Sequence, residues 1–469
     1  MVRVFSFKAF LSPFSWRYGS MQMRGLFSEE ATRIFWRKTW IALAEAQGRA
    51  GIVSKTELSD IKKHALNVDI EESHRLEKRI KHDLMAELSV FASQCRKGGG
   101  KLHLGATSMD VEDNAEAVRN KQALLLVRKK LVALLKALSA KIKRFKNTSC
   151  MAFTHLQPAE PTTLGYRFAN YAQDFLLDLE KLDELYSGFK GKGLKGAVGT
   201  AASYKAMLKD SRLSAEKLEE LFLKKLGLEA FDVTTQTSPR KQDYLLLTCL
   251  ASISQSLHKM AQDFRILQSP NFGELAEPFG KHQIGSSAMP FKRNPVKSER
   301  ICSLSRVVSV LPKVAWDNAA TTMLERSLDD SANRRVILPE AFLAVDEALS
   351  LAQIVVSGVV VNQKQVERNL DKYAPFASTE KLLLLLTQRG MARNKAHEII
   401  RENSMKAWDA VSKGNDNPLA GLLSNDKRIT RLVASGEVEK IVSTKTARAH
   451  TGIASNRCGK VLQKIKKSV

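Results

Sequence analysis

Residues 244–267 read YLLLTCLASISQSLHKMAQDFRIL. Leu246, Leu250, Ile253, Leu257, Met260, Phe264 and Leu267 recur at steps of 4, 3, 4, 3, 4 and 3. This spacing lays one narrow apolar seam along a helix, the pattern of helices packed side by side in a bundle. Outward from it, Leu124, Val127, Leu131, Leu134, Leu138 and Ile142 form a second seam. Leu164, Phe168, Tyr171, Phe175, Leu179, Leu182 and Tyr186 form a third. Two more helices are predicted over about 298–322 and 333–361. Each is roughly 25–30 residues, on the order of 40 Å at 1.5 Å per residue, against about 11 residues for an ordinary globular helix. No run of alternating strands appears. The prediction is an all-α fold with a long central helix bundle, and seams this long call for an oligomer built from it. The Leu, Met and Phe stripes are read as core.

Breaks divide the chain. "KGGGKLHLGATSMDVEDN" (97–114) interrupts the helices with glycines, and Asp113-Asn114 reads as the cap of the following helix. After Val361, "NQKQVERNLDKYAPFAS" changes character and Pro375 predicts a turn. Three helical domains are expected: 1–111, a central bundle over 112–364, and 365–469.

Composition fits an ordinary globular chain of 469 residues, 44% apolar and 26% charged. Its aromatic content of 7% suits a helical protein better than a sandwich. Cys95, Cys150, Cys249, Cys302 and Cys458 are scattered with no C-x-x-C pair, which argues for a reducing, cytoplasmic setting and against a disulfide framework or zinc site. No apolar run reaches membrane-spanning length. "MVRVFSFKAFLSPFS" at the start is broken by Lys8 and reads as a short apolar lead-in rather than a targeting segment. The net charge of +25 is large. It is spread, with clusters at Lys141-Ile-Lys-Arg144 and Lys464-Ile-Lys-Lys467. No zinc-finger spacing, Arg-Gly repeat or RNP-type segment accompanies it, so neither nucleic acid nor a membrane is expected as partner.

Six polar islands interrupt the periodic segments: "RIKHDLMAE" (79–87), "HLGATSMDVEDN" (103–114), "FTHLQPAEPTT" (153–163), "TTQTSPRK" (234–241), "GSSAMPFKRNP" (285–295) and "ERSLDDSANRR" (325–335). His258, His64, His74, His397 and His450 are read as structural. His82, His103 and His155 stand in the islands. There is no metal-ligand cluster, phosphate-binding glycine loop or nucleophile elbow. What remains is a hydroxyl on a glycine-hinged loop, a lysine beside it, a histidine elsewhere and several arginines. That set suits acid–base chemistry on a polyanionic substrate.

"GSSAMPFKRNP" resembles the signature loop of the fumarase/aspartase superfamily, of general form G-S-S-x-M-P-x-K-x-N-P. Its Ala288 and Arg293, with "HLGATS" (103–108), "FTHLQPAEPTT", "EPFGKHQIGSSAMPFKRNP" (277–295) and "LDDSANRR" (328–335), resemble the adenylosuccinate lyase family within it. The resemblance runs from Arg17 onward and is closer to animal-type members. It implies Ser286 as base, with Gly285 as hinge of a mobile loop. Residues alone do not choose between Ser286 and Ser287. By the same resemblance His155 is the acid on the leaving nitrogen and Glu299 orients it. Lys292 and Asn294 hold the succinyl carboxylates, and His82 joins the catalytic set. Arg17, Tyr18, Arg326, Ser331 and Arg335 are implied at the phosphate and ribose. Lys81 and Asp83 flank His82, in a segment usually Arg-His-Asp. Thr107 and Ser108 match a carboxylate-binding pair, and Gln236 and Arg300 match substrate contacts. The family implies adenylosuccinate and SAICAR as substrates, no cofactor or metal, and a homotetramer with sites shared between subunits. Argininosuccinate lyase and fumarase are the near alternatives; "LDDSANRR" with Lys-Arg-Asn-Pro speaks for a nucleotide phosphate. A non-catalytic RNA-binding protein is the distant one.

Overall fold

The computed structural model describes residues 9–469; the apolar lead-in lies partly outside them. The seams are where the periodicity places them. All seven apolar positions from Leu246 to Leu267 are buried, as are the six from Leu124 to Ile142. Truncating such a Leu to Ala typically costs about 2–5 kcal/mol, because the cavity adds to the lost transfer energy. The corresponding helices are Ser108–Phe145, Leu164–Ser187, Lys241–Gln268, Val296–Thr321 and Asp329–Gly358. The first is 38 residues, about 57 Å long at the helical rise.

The chain divides into two compact units. Of the described residues, one comprises those up to 131, with 178–258 and 301–350, the other 132–177, 259–300 and 351–469. The five long helices contribute to both. In the first unit an aromatic core gathers Phe35, Trp36, Trp40 and Phe91 with Ile61 and Leu84. In the second, short helices from Thr379 to Val442 bury Leu382, Leu386, Ile399, Leu423 and Val438.

Four expectations are corrected. Pro375, expected at a turn, lies inside the helix Gln363–Ala377 near its end. The helix after the glycine-rich break starts at Ser108, so Asp113 and Asn114 lie inside it. Both are buried and spent on tertiary bonds: Asp113 takes Arg240, and Asn114 bonds the backbone of Gly193. Among the described residues strand structure is present after all. Ser149–Thr154 and Gln157–Thr163 form an antiparallel hairpin, and Leu275–Ala276 pairs with Val360–Val361. Pro158 and Pro161 hid the second strand from any alternation rule. Finally, the helix Asp329–Gly358 is long and apolar enough to cross a membrane by composition, but two-thirds of its apolar window is buried inside the chain. Its hydrophobicity is that of a core helix.

Candidate active site

Six non-glycine residues among those described have positive φ: Lys81, His103, His155, Leu156, Ala201 and Leu324. Each such residue costs on the order of 1–2 kcal/mol. Four of them lie in the polar islands and a fifth, Leu324, adjoins one. Strain is stored where the sequence broke its periodicity, as functional sites often store it.

In the first unit, Lys81 (φ 59°) ends the helix Ile70–Ile80 at a position that normally favours glycine. The turn leaves His82 extended, ahead of the helix Asp83–Gln94. His82 Nε2 lies 3.3 Å from Ser108 Oγ, and Nδ1 lies 3.6 Å from an Asp83 oxygen. Arg335 donates to the other Asp83 oxygen at 2.6 Å. Burial pushes the Asp83 carboxyl up, but the Arg335 guanidinium and the Leu84 N–H outweigh it and hold it below its ordinary range. Three islands, one of them some 250 residues from the other two, thus meet at one point.

The loop before Lys241 is fixed by buried charge. Asp113 accepts from Ser238 and Arg240, while Arg240 also donates to Asp330 at 2.5 Å. Arg334 bridges Glu116 and Asp243. Breaking such a pair strands a charge in the interior, at about 3–5 kcal/mol. The network seats the first turns of the helix carrying Ser331 and Arg335. It also places Gln236, whose N–H donates to Glu325 O at 3.2 Å, beside Arg326. Arg326 pairs with Asp330 at 2.9 Å. Arg17 and Tyr18 lie in an N-terminal segment tied to the same helix. Gly19 N and Ser20 N donate to Glu347 and Asp346, on the order of 15 Å further along the same helix by its rise. Gly19 has a φ of 82°, the left-handed region that favours glycine.

In the second unit His155 and Leu156, with φ of 54° and 59°, form the two-residue turn of the 149–163 hairpin. Both central residues must be left-handed in the type I′ turn that suits a tight hairpin, a demand Asn-Gly usually meets. The hairpin holds the His155 ring exposed at its tip. The 285–295 loop is stitched to itself. Ser286 Oγ accepts from Met289 N at 3.1 Å and Ala288 N at 3.4 Å. Asn294 Nδ2 donates to Gly285 O at 3.1 Å, and the Arg293 guanidinium lies 5.3 Å over the Phe279 ring. Gly285 does not have the positive φ of a glycine hinge. Its need is space: an added Cβ would sit 2.0 Å from Lys292 O. Lys292 and Glu299 are exposed and Arg300 is half-buried. Among the described residues no hydrogen bond joins His155 to Glu299 or to Ser286.

Comparison with known proteins decides the family. The profile described as "Lyase" matches residues 23–309, and that described as "Adenylosuccinate lyase C-terminus" matches 375–455. The chain is 40% identical over 425 residues to an adenylosuccinate lyase of Schistosoma mansoni, covering 90% of this chain and 88% of that one. It is 37% identical to one from Schizosaccharomyces pombe, covering 89% and 87%. The chain belongs to the adenylosuccinate lyase family. It is a lyase with an all-α fold. Among solved structures, the fumarate lyase of Mesorhizobium sp. BNC1 superposes with a TM-score of 0.83 at 24% identity, covering 95% of this chain and 98% of that one.

Two residues of this family member escaped sequence reading. Asp110 is buried and accepts from the Lys192 ammonium, Lys195 N, Gly196 N, Tyr204 OH and Thr107 N. It ties the 191–204 segment to the Thr107-Ser108 turn. Glu277, buried, accepts from Lys297 N and from Ser298 N and Oγ, capping the helix that follows the loop. Glu277 lies within a quoted motif, but nothing local marks a cap 20 residues away.

A cavity of about 200 Å³ is lined by Ser331, Arg335, Arg33, Arg119 and Glu112. Burial, then Asp83 and Asp113, push the Glu112 carboxyl up to about 8. At neutral pH it is uncharged and does not repel an anion. Its folded pKa exceeds its ordinary 4.5, so the folded state holds an extra proton between those values. Stability should therefore fall as pH rises from about 5 to 8, by up to about 1.4 kcal/mol per unit. Glu112→Gln removes that dependence. Urea midpoints at pH 6 and pH 8 should separate more for the parent than for the variant; equal separations would contradict the assignment.

Proposed function

We propose that this lyase releases fumarate from adenylosuccinate, leaving AMP, and from SAICAR, leaving AICAR. The observation that carries the reading is Ser286, whose Oγ accepts two backbone N–H groups in a loop closed by its own side chains. A serine hydroxyl is ordinarily far too weak a base. Two fixed amide donors, with Lys292 on the same loop, stabilise the negative charge of its deprotonated form. Ser286 takes the proton from the carbon beside a succinyl carboxylate. The electron pair left behind expels the nitrogen, the C–N bond breaks, and His155 gives the nitrogen its proton. Lys292, Asn294 and the Thr107-Ser108 pair are assigned to the carboxylates, and Asn294 also bonds Gly285 O across the loop. Glu299 orients His155, and Arg300 contacts the substrate.

The phosphate is assigned to Arg335, Arg326 and Ser331, with Arg17 and Tyr18 at the ribose side. Gln236 faces the base, and His82 is positioned by Asp83 and Ser108. Lys81 keeps the charge of the arginine usual there but loses its two-pronged donor. The sites are taken to be shared in a homotetramer. Support comes from large apolar groups left exposed on the first unit, including Val310 (62%), Met323 (65%) and Leu324 (88%). Division into 1–111, 112–364 and 365–469 is supported by the C-terminal profile beginning at 375. A cytoplasmic location fits five buried free thiols, of which burial pushes Cys95 and Cys150 up to about 11.

The test is incubation of the pure protein with adenylosuccinate. AMP and fumarate should appear in equal amounts, and Arg335→Ala should raise KM on the order of tenfold, the worth of one charged contact. Turnover of argininosuccinate or malate in place of adenylosuccinate would overturn the substrate. An unchanged KM would remove the phosphate from Arg335.

A further inference from the structure

The lyase chemistry needs only a few cations, and the chain carries a surplus of +25. The excess is not evenly placed. One residue in about ten of the chain is acidic, yet none occurs between Glu116 and Glu160, and none from Lys440 to Val469. In the second unit the part of the first segment from 132 onward and the second segment are neighbours. Ser455 Oγ donates to Asn147 Oδ1 at 2.8 Å, Ser149 Oγ donates to Arg448 O at 2.8 Å, and the helix Ala454–Ser468 packs on the strand Gln157–Thr163. Two basic clusters some three hundred residues apart, 141–146 and 457–467, are thereby joined on one fold unit.

The cations there are available. Arg457, Lys460, Lys464 and Lys467 recur at three- and four-residue steps, so they share one side of their helix. All four are exposed, as are Lys466, Lys143 and Arg144. Among the described residues none of these seven enters an ion pair. Arg448 is different, being held by Asp371 at 2.8 Å. The opposite side of the helix is occupied: Ala454, Cys458 and Ile465 are buried.

We propose that this basic face is a docking surface for the phosphate backbone of double-stranded nucleic acid, revising the expectation of no nucleic-acid partner. The apolar side of the helix is already packed against protein, so it has nothing to insert into a lipid surface. The helix contains no aromatic residue, so it has no platform for stacking unpaired bases. What it offers is a row of point charges, which suits backbone contact without reading of sequence.

The experiment is fluorescence anisotropy of a labelled 20-base-pair RNA duplex with the full-length protein, from 50 to 200 mM KCl. Binding in the micromolar range at low salt is expected, with a steep negative slope of log affinity against log salt. Combined Lys460→Ala, Lys464→Ala and Lys467→Ala should weaken it about tenfold or more and reduce the slope by about 2–3, close to one for each cation removed. Lys143→Ala with Arg144→Ala should add to this, with thermal midpoint and lyase turnover unchanged in both. Duplex binding equal to the parent in the triple variant would overturn the proposal. So would capture by phosphatidylserine vesicles without duplex binding, or no salt-dependent duplex binding at 50 mM.

Discussion

Ser286→Ala should lower turnover by about 10³–10⁴-fold, or about 4–5.5 kcal/mol of barrier, while adenylosuccinate still binds. Under the proposal, alanine removes the hydroxyl that takes the proton. It leaves the carboxylate and phosphate contacts assigned to other residues, so the loss belongs in kcat rather than in affinity. The neighbour supplies the control. Ser287 is exposed, whereas Ser286 is half-buried and its Oγ receives two amide donors. Ser287→Ala should therefore stay within a few-fold of the parent. The Ala288 and Met289 amides lose their acceptor in Ser286→Ala, so the loop itself must be checked. Affinity for adenylosuccinate, measured by calorimetry on the inactive variant, should remain within a few-fold. Retained turnover in Ser286→Ala, or a dead Ser287→Ala beside an active Ser286→Ala, would move the base to another residue.

The helices were legible because burial on one side leaves a period that survives in the sequence, and every seam position from Leu246 to Leu267 is indeed buried. The polar islands were legible for the opposite reason: they break that period. What could not be read is whatever depends on a partner distant in the chain. Asp113 looked like a helix cap because caps and buried ion-pair residues share the same side chains. Only the fold brings Arg240 to it. Asp110 and Glu277 were silent for the same cause. The left-handed residues were silent too: Lys81 and Leu156 are not types that announce positive φ, and the mild preference of His103 and His155 for it is too weak to read from sequence. Gly285 was legible as special, but the reason was crowding against Lys292 O rather than freedom to swing.

Mixing is the sharper test for His155. His155→Ala alone should be near-inactive, since an elimination without a proton donor must expel a poor anionic leaving group; a loss of about 10²–10⁴ is the usual worth of a general acid. The His155 ring stands exposed on a hairpin tip, and among the described residues it is bonded to neither Ser286 nor Glu299 within its own chain. Under the proposal its site companions come from other subunits. When His155→Ala and Ser286→Ala proteins are mixed equally and allowed to exchange subunits, a site can draw an intact His155 from one and an intact Ser286 from the other. If the two residues always come from different subunits and assembly is random, about a quarter of the sites regain both. Activity should rise from the background of either variant towards that fraction. If both residues come from one subunit, every site keeps one defect and nothing is regained. Exchange is verified independently by mass-tagged subunits, so a flat activity trace with proven exchange would rule out the shared site, and recovery would establish it.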